Sequence, residues 1–159
     1  MSVVDGRTWM ELLSGERCWR LLAGQSVGRL AYLLAGEPEI VPVNYAVDGR
    51  CIVFRTDPGT KLGALNRNDV VAFEIDHAEP SSYTGWSVLV KGRAQQVHDG
   101  VELRRLARLD LRPWPLGEKH VWMRIEPEVV SGRQVHRPPE PAAEDAAGDA
   151  AGDAAEDAV

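Results

Sequence analysis

The chain reads as a mainly β domain: about six antiparallel strands in a closed or nearly closed barrel, with two or three short helices at its ends. Three observations lead there. Apolar runs of strand length recur between Gly, Pro and Asp-Gly turn signals. Most of the links between them are too short to hold a crossover helix, which argues against a doubly wound parallel sheet. No internal repeat divides the chain, so these strands must close on one another to bury their apolar faces.

Taken in order, SGERCWRLLAGQ is amphipathic: Ser14 is placed to cap a helix, Cys18, Leu21 and Leu22 share its apolar face, and Gly24 ends it. Val27–Gly36 is a strand with Gly-Glu-Pro as its turn, and Glu39–Val47 is a second strand in which Pro42 marks an edge or a bulge. Asp48-Gly49 signals a hairpin into the third strand, residues 50–56. A short helix over 61–68 follows, then a fourth strand over 69–76, a loop HAEPSSYTG, and a long fifth strand over 86–99, bent at Gly92. A helix over 100–110 presents Val101, Leu103, Leu106 and Leu109, and after the loop RPWPLGEK the residues 120–135 form a strand pair, or one strand broken at Pro127.

At 159 residues the chain suits one domain with a proper core. The formal charge of −6 is unevenly spread. Seven of the 24 acids (Glu140, Glu144, Asp145, Asp149, Asp153, Glu156 and Asp157) lie beyond residue 137; the remaining 24 − 7 = 17 face 18 bases, a balance of +1. We therefore divide the chain into a globular part, residues 1–137, and an Ala/Asp/Gly-rich acidic tail, residues 138–159, too poor in large apolar residues to offset its ordering entropy. A near-neutral domain lacks the clustered basic face of a nucleic-acid binder. No apolar run approaches the ~18 residues of a membrane span, and the N-terminal sequence does not read as a signal peptide. Two cysteines, Cys18 and Cys51, lie far apart and read as buried reduced thiols, so a cytoplasmic location is expected. The four histidines show no metal-ligand spacing, and Ser87 has no His/Asp pattern for nucleophilic catalysis.

The stretch FRTDPGTKLGAL carries the chemistry. A strand ends in Arg55-Thr56, turns at Pro58-Gly59, and opens a helix with Thr60-Lys61. A helix N-terminus offers unpaired N–H groups and partial positive charge, Thr60 is positioned to cap it, Lys61 adds a point charge, and Arg55 a bidentate fork. The combination suits a phosphate; the alternative is a surface turn whose cations pair with Asp57, Asp69 or Glu74. Neither G-x-x-x-x-G-K-[ST] nor G-x-G-x-x-G occurs in the chain.

The order VPVNYAVDGRCIVFRTDPGTKLGALNRNDVVAFEID, then GWSVLVKGRA, then VWMRIEPEVVSGR resembles the pyridoxamine 5′-phosphate oxidase-like flavoproteins, most closely the small actinobacterial and nitroimidazole-resistance-type members. The resemblance covers residues 15–135. It implies a split β-barrel homodimer that holds FMN at the subunit interface, with F420 or haem as the cofactor in other proteins of this fold. It maps Arg55, Thr56 and Lys61, with Thr60 beside them, onto the phosphate-contacting positions, and Pro42, Val43 and Asn44 onto the strand whose backbone follows the flavin ring. Trp86 and Ser87 begin a strand that reaches the flavin, often from the second subunit, and Trp122 and Arg124 fall in the strand that closes the site from the partner. The C-terminal substrate-binding Arg/His motif of true pyridoxamine phosphate oxidases is not matched, since SGRQVH runs into proline and the acidic tail. The expected function is an FMN-dependent oxidoreductase acting on a small aromatic or quinone-like acceptor, with a nicotinamide electron donor; the competing readings are an F420- or haem-binding member of the same fold and a non-enzymatic flavin-binding or redox-sensing protein. No side chain stands out as a general acid or base.

Overall fold

The computed structural model describes residues 4–111 and 119–137, which contain eight strands and three helices. They follow in the order β1 (Val4–Asp5), β2 (Met10–Leu12), α1 (Gly15–Ala23), β3 (Val27–Leu34), β4 (Glu37–Asp48), β5 (Cys51–Thr56), α2 (Thr60–Arg67), β6 (Val70–Glu79), β7 (Thr84–Gln96), α3 (Gly100–Leu106) and β8 (Val121–Val135). The acidic tail assigned to 138–159 and most of the loop RPWPLGEK lie outside the described residues. All pairings are antiparallel. The sheet order is β1-β2-β8-β5-β4-β3-β6-β7, and β7 also pairs with β8, so β3 to β8 close into a six-membered ring. This is the split barrel the sequence predicts.

The ring is uneven. β4 pairs with β3 from Glu37 to Asn44, but with β5 only from Tyr45 to Asp48. Beyond the pair Tyr45↔Phe54 the two strands part and leave a fork. The Tyr45 N–H donates to Ser26 C=O at 3.1 Å, so odd-numbered residues of β4 direct their backbone groups toward β3. By alternation Pro38, Ile40, Pro42 and Asn44 direct theirs into the fork. Both prolines of this strand thus fall where a missing N–H breaks no ladder, which places Pro42 on the edge that the sequence anticipates.

Inside the ring, Leu30, Ile52, Phe54, Phe73, Val88, Val90, Met123 and Ile125 are fully buried. Tyr45 meets Phe73 edge to face at 4.8 Å and donates its hydroxyl to Leu22 C=O of α1 at 2.6 Å. Burial pushes that phenol's pKa well above its ordinary value. α1 begins as expected: the Ser14 hydroxyl accepts from the Arg17 N–H at 3.3 Å, and Cys18 and Leu22 are buried against the core. Cys51 is only half-buried, against expectation. α2 plugs the barrel end with Ala64 and Leu65. α3 instead covers the outer face of β5 and β8, where Val53, Val97, Leu106, Leu111 and Trp122 form a second cluster.

Several boundaries differ from the sequence reading. The β3–β4 turn is Ala35–Gly36, both with positive φ (54° and 89°), so β4 starts at Glu37 rather than after Gly-Glu-Pro. The loop HAEPSSYTG is largely hairpin: pairing continues to Glu79↔Thr84, and the Glu79 carboxylate accepts from the Ser81 N–H and hydroxyl across the tight turn. The C-terminal segment is one strand, unbroken at Pro127. Gly92 faces Pro127 while Lys91 faces Val129, leaving Glu128 as the extra residue of a bulge that accommodates the proline. β1 and β2, not anticipated, extend the sheet along the C-terminal end of β8.

The bulge explains Gly92. A Cβ there would stand 2.0 Å from Glu126 O, a backbone atom that cannot rotate aside. Gly92→Val is expected to cost about 2–3 kcal/mol by overpacking, read as a lowered urea midpoint with unchanged slope; an unaltered midpoint would show that the β7–β8 pair tolerates a side chain at the bulge.

Candidate functional site

The fork between β4 and β5 places the expected residues on two tines. On one, Pro42 is exposed, Val43 points into the core at 6% exposure, and Asn44 is half-buried. On the other, Arg55 and Thr56 point to opposite faces of β5, because strand side chains alternate. Thr56 is buried inward at 2% exposure. Arg55 points outward, its guanidinium lying 5.4 Å from the ring centroid of Trp122. Continuing the register of Tyr45↔Phe54 by one step sets Asn44 opposite Arg55.

Three residues, Asp57–Gly59, link β5 to α2. The N-cap is Gly59, with no side-chain hydrogen bond, and Thr60 is already inside the helix. The expectation that Thr60 caps is therefore corrected: the threonine arrives one position late, and the first turn of α2 has no side-chain acceptor at its cap. Lys61 stands in that turn. Its pKa is depressed first by burial and next by the charge of Lys119, with a smaller opposing effect from Asp57. Lys119 was missed by sequence reasoning, which left it in a loop. The signal available was its place two residues before the closing strand: the pair Thr56↔Val121, run back two steps, sets Lys119 opposite Pro58.

The alternative in which nearby carboxylates neutralise these cations fails. Asp69 pairs with Arg93 at 2.8 Å, Glu74 pairs with Arg29 at 3.1 Å, and Asp57 reaches Lys119 at 3.6 Å. Arg55 and Lys61 form no ion pair among the described residues. The Nε of Arg55 is buried and has no hydrogen-bond partner. A buried donor without an acceptor, a half-buried ammonium repelled by a second one, and an uncapped helix start all fit an anion such as a phosphate.

Of the remaining expected residues, Trp122 stands opposite Arg55 in register and the others lie elsewhere. Trp122 is 8% exposed and packs under α3. Arg124 is held by Asp48 at 3.0 Å and by Glu102, and Asp48 also takes Arg105 Nη2 at 2.8 Å. Arg124 therefore joins α3 to the barrel, since a part-buried guanidinium needs carboxylates around it. Trp86 packs on the core and stacks on His77, with centroids 6.2 Å apart. Ser87 lines a cleft of about 240 Å³ with Glu74, Leu89, Ser131 and Arg133. Ser87 pairs with Arg133 and Arg55 with Trp122, eleven positions apart on β8, a contour of roughly 36 Å. Within the chain, Trp86 and Ser87 are not brought to the fork.

An antiparallel split barrel of this kind defines a class, and comparisons with known proteins place the chain in it. Residues 14–134 match the pyridoxamine 5′-phosphate oxidase family, and the chain belongs to it. An uncharacterized protein of Mycobacterium tuberculosis is 38% identical over 129 residues, 77% of this chain and 84% of that protein. The FAD-binding protein from Mycobacterium smegmatis superposes with a TM-score of 0.67 at 35% identity, covering 78% of this chain and 97% of that one. A FAD-binding protein from Mesorhizobium loti superposes with a TM-score of 0.68 at 29% identity, covering 80% and 99%.

Holding Lys61 charged beside Lys119 opposes folding without an anion. Its lowered pKa means the unfolded chain keeps the proton longer, so this penalty is full below the folded pKa and fades as pH rises from there to the ordinary lysine value. Lys61→Met is expected to raise the melting temperature of the ligand-free protein at pH 7 by a few degrees, on the order of 1 kcal/mol or less, with the gain shrinking as pH rises toward 10.5. A drop in melting temperature at pH 7 would show that Lys61 is a structural cation.

Proposed function

We infer that the chain is a flavin-binding oxidoreductase that holds FMN by its phosphate at the β5–α2 loop. The observation that carries this is the set of uncompensated cations there: Arg55 with its buried, unpartnered Nε, and Lys61 facing Lys119. The match to the family and the FAD-binding solved structures support a flavin in particular. In this reading Arg55 and Lys61 bind the phosphate, and the fork-facing backbone of Pro42 and Asn44 orients the ring. Bound flavin supplies two-electron transfer. The reaction proposed is oxidation of a reduced nicotinamide with reduction of a small aromatic or quinone-like acceptor.

The same reading makes the working unit a homodimer. Trp86 and Ser87 sit too far along β8 to reach the fork of their own protomer, and a second copy would bring them there. The outer sheet face also leaves Leu33, Ile40, Val70 and Val129 exposed, around a cleft of about 400 Å³ lined by Ala31, Val70, Ala72 and Val129 among others. Exposed apolar residues gathered on one face mark an interaction surface.

The purified protein should show flavin absorption bands, and heating should release FMN; release of FAD instead would correct the nucleotide, and a colourless protein that takes up neither would sink the reading. Arg55→Ala with Lys61→Ala should weaken FMN binding about 30-fold or more, the ~2 kcal/mol of lost charge-assisted contacts. Native mass spectrometry should find two chains with two flavins. Reduced nicotinamide should be consumed with quinones or nitroaromatics; a flavin-loaded protein inert toward the whole panel would mark a carrier.

A further inference from the structure

Lys119 belongs to no motif that carries the family resemblance, yet it is built into the loop. Its side chain is only 16% exposed, and its one ion pair among the described residues is loose: Nζ stands 3.6 Å from Asp57 Oδ2, and Asp57 itself is 51% exposed. A mostly buried ammonium normally sits in a tight, multiply bonded pair. Here it shares one exposed acid with a second half-buried ammonium, that of Lys61, whose charge it disfavours. Among the described residues, the two ammonium groups, the Arg55 guanidinium and the one carboxylate leave the loop positive, and the uncapped start of the eight-residue helix α2 adds its partial positive charge. Such a cluster is incomplete as a structural ion pair and complete once a doubly charged oxyanion enters.

We propose that Lys119 is a third ligand of the phosphate at this loop, and that Asp57 is its resident counter-ion, which the phosphate displaces. The proposal deepens the flavin reading and rests on it for the identity of the ligand, though not for its charge. Asp57 and the phosphate compete for the same ammonium. Asp57 thereby lowers affinity for every anion, while the surrounding cations favour one carrying two charges on a single phosphorus. A terminal phosphate monoester is favoured over the singly charged phosphates of a dinucleotide. Lys119 adds affinity, Asp57 removes it, and the two residues act in opposite directions on binding although they contact each other.

That opposition separates a ligand from a structural pair. FMN, riboflavin and inorganic phosphate would be titrated calorimetrically into the full chain and into Lys119→Met and Asp57→Asn, each checked for folding by circular dichroism, with Lys119→Gln as the replacement should the methionine variant misfold. Lys119→Met should weaken FMN about tenfold and leave riboflavin, which has no phosphate, unchanged; Asp57→Asn should tighten FMN several-fold. If both substitutions weaken FMN alike, the pair only holds the loop, and the proposal is overturned. It is equally overturned if neither changes FMN, or if riboflavin falls in step with FMN. If the unaltered protein takes up no flavin, the flavin reading fails by itself: opposite effects on inorganic phosphate still sustain Lys119 and Asp57 in these roles, and absence of phosphate binding removes both.

Discussion

Strand β8 is the constraint on which the rest of the structure depends. From Met123 to Val135 it pairs with β7, while its other edge is shared: Val121 to Ile125 take Thr56 to Ile52 of β5, and Arg133 to Val135 take β2. A strand that gives its two halves to different neighbours has to change direction between them, and the bulge at Glu128 opposite Gly92 accomplishes this. Closing the ring through β8 fixes where β5 ends. The position of β5 then decides where β4 must leave it, because β4 follows β3 beyond Tyr45. The fork is thus a product of closure, and the loop at its mouth inherits a defined place beside the incoming Lys119.

Electrostatics at that mouth contrasts with the rest of the surface. Arg29 has Glu74 and Asp76, Arg93 has Asp69 and Glu128, and Arg105 and Arg124 have Asp48 and Glu102. The exposed pairs contribute little to stability, but they occupy the carboxylates. What remains around the β5–α2 loop is positive, partly buried and, among the described residues, compensated only by Asp57. Proteins accept such arrangements where a ligand completes them.

How much of this was legible in the sequence follows from the range of the interactions involved. The Asp48-Gly49 hairpin, the Ser14 cap and the bend at Gly92 are local, and each was readable from its own few residues. So was the cation set Arg55 and Lys61, because it lies on one short loop. Pro42 spoke for an edge without saying which neighbour was absent. The two-residue and three-residue strands β1 and β2 have no periodicity to detect; they exist because β8 offers an edge. The roles of Trp122 and Arg124 depend on α3 crossing over the outer face of β5 and β8, a long-range event with no signature near residue 122. Lys119 became visible only through register, which needs both strands at once. The family resemblance supplied the split barrel and grouped Trp86 and Ser87 with the fork, whereas within the chain they pair with β8 eleven or more positions away from it.

The two prolines of β4 have a consequence beyond marking an edge. A foreign strand that tried to add itself to the ring at the fork would find no amide donor at Pro38 or Pro42, a ladder with two of its rungs gone. The exposed Ile40 can therefore press against a folded surface without templating a growing cross-β stack. Edge-to-edge growth at this flank is thereby disfavoured, so the open apolar margin does not carry the fibre risk of an unbroken edge strand.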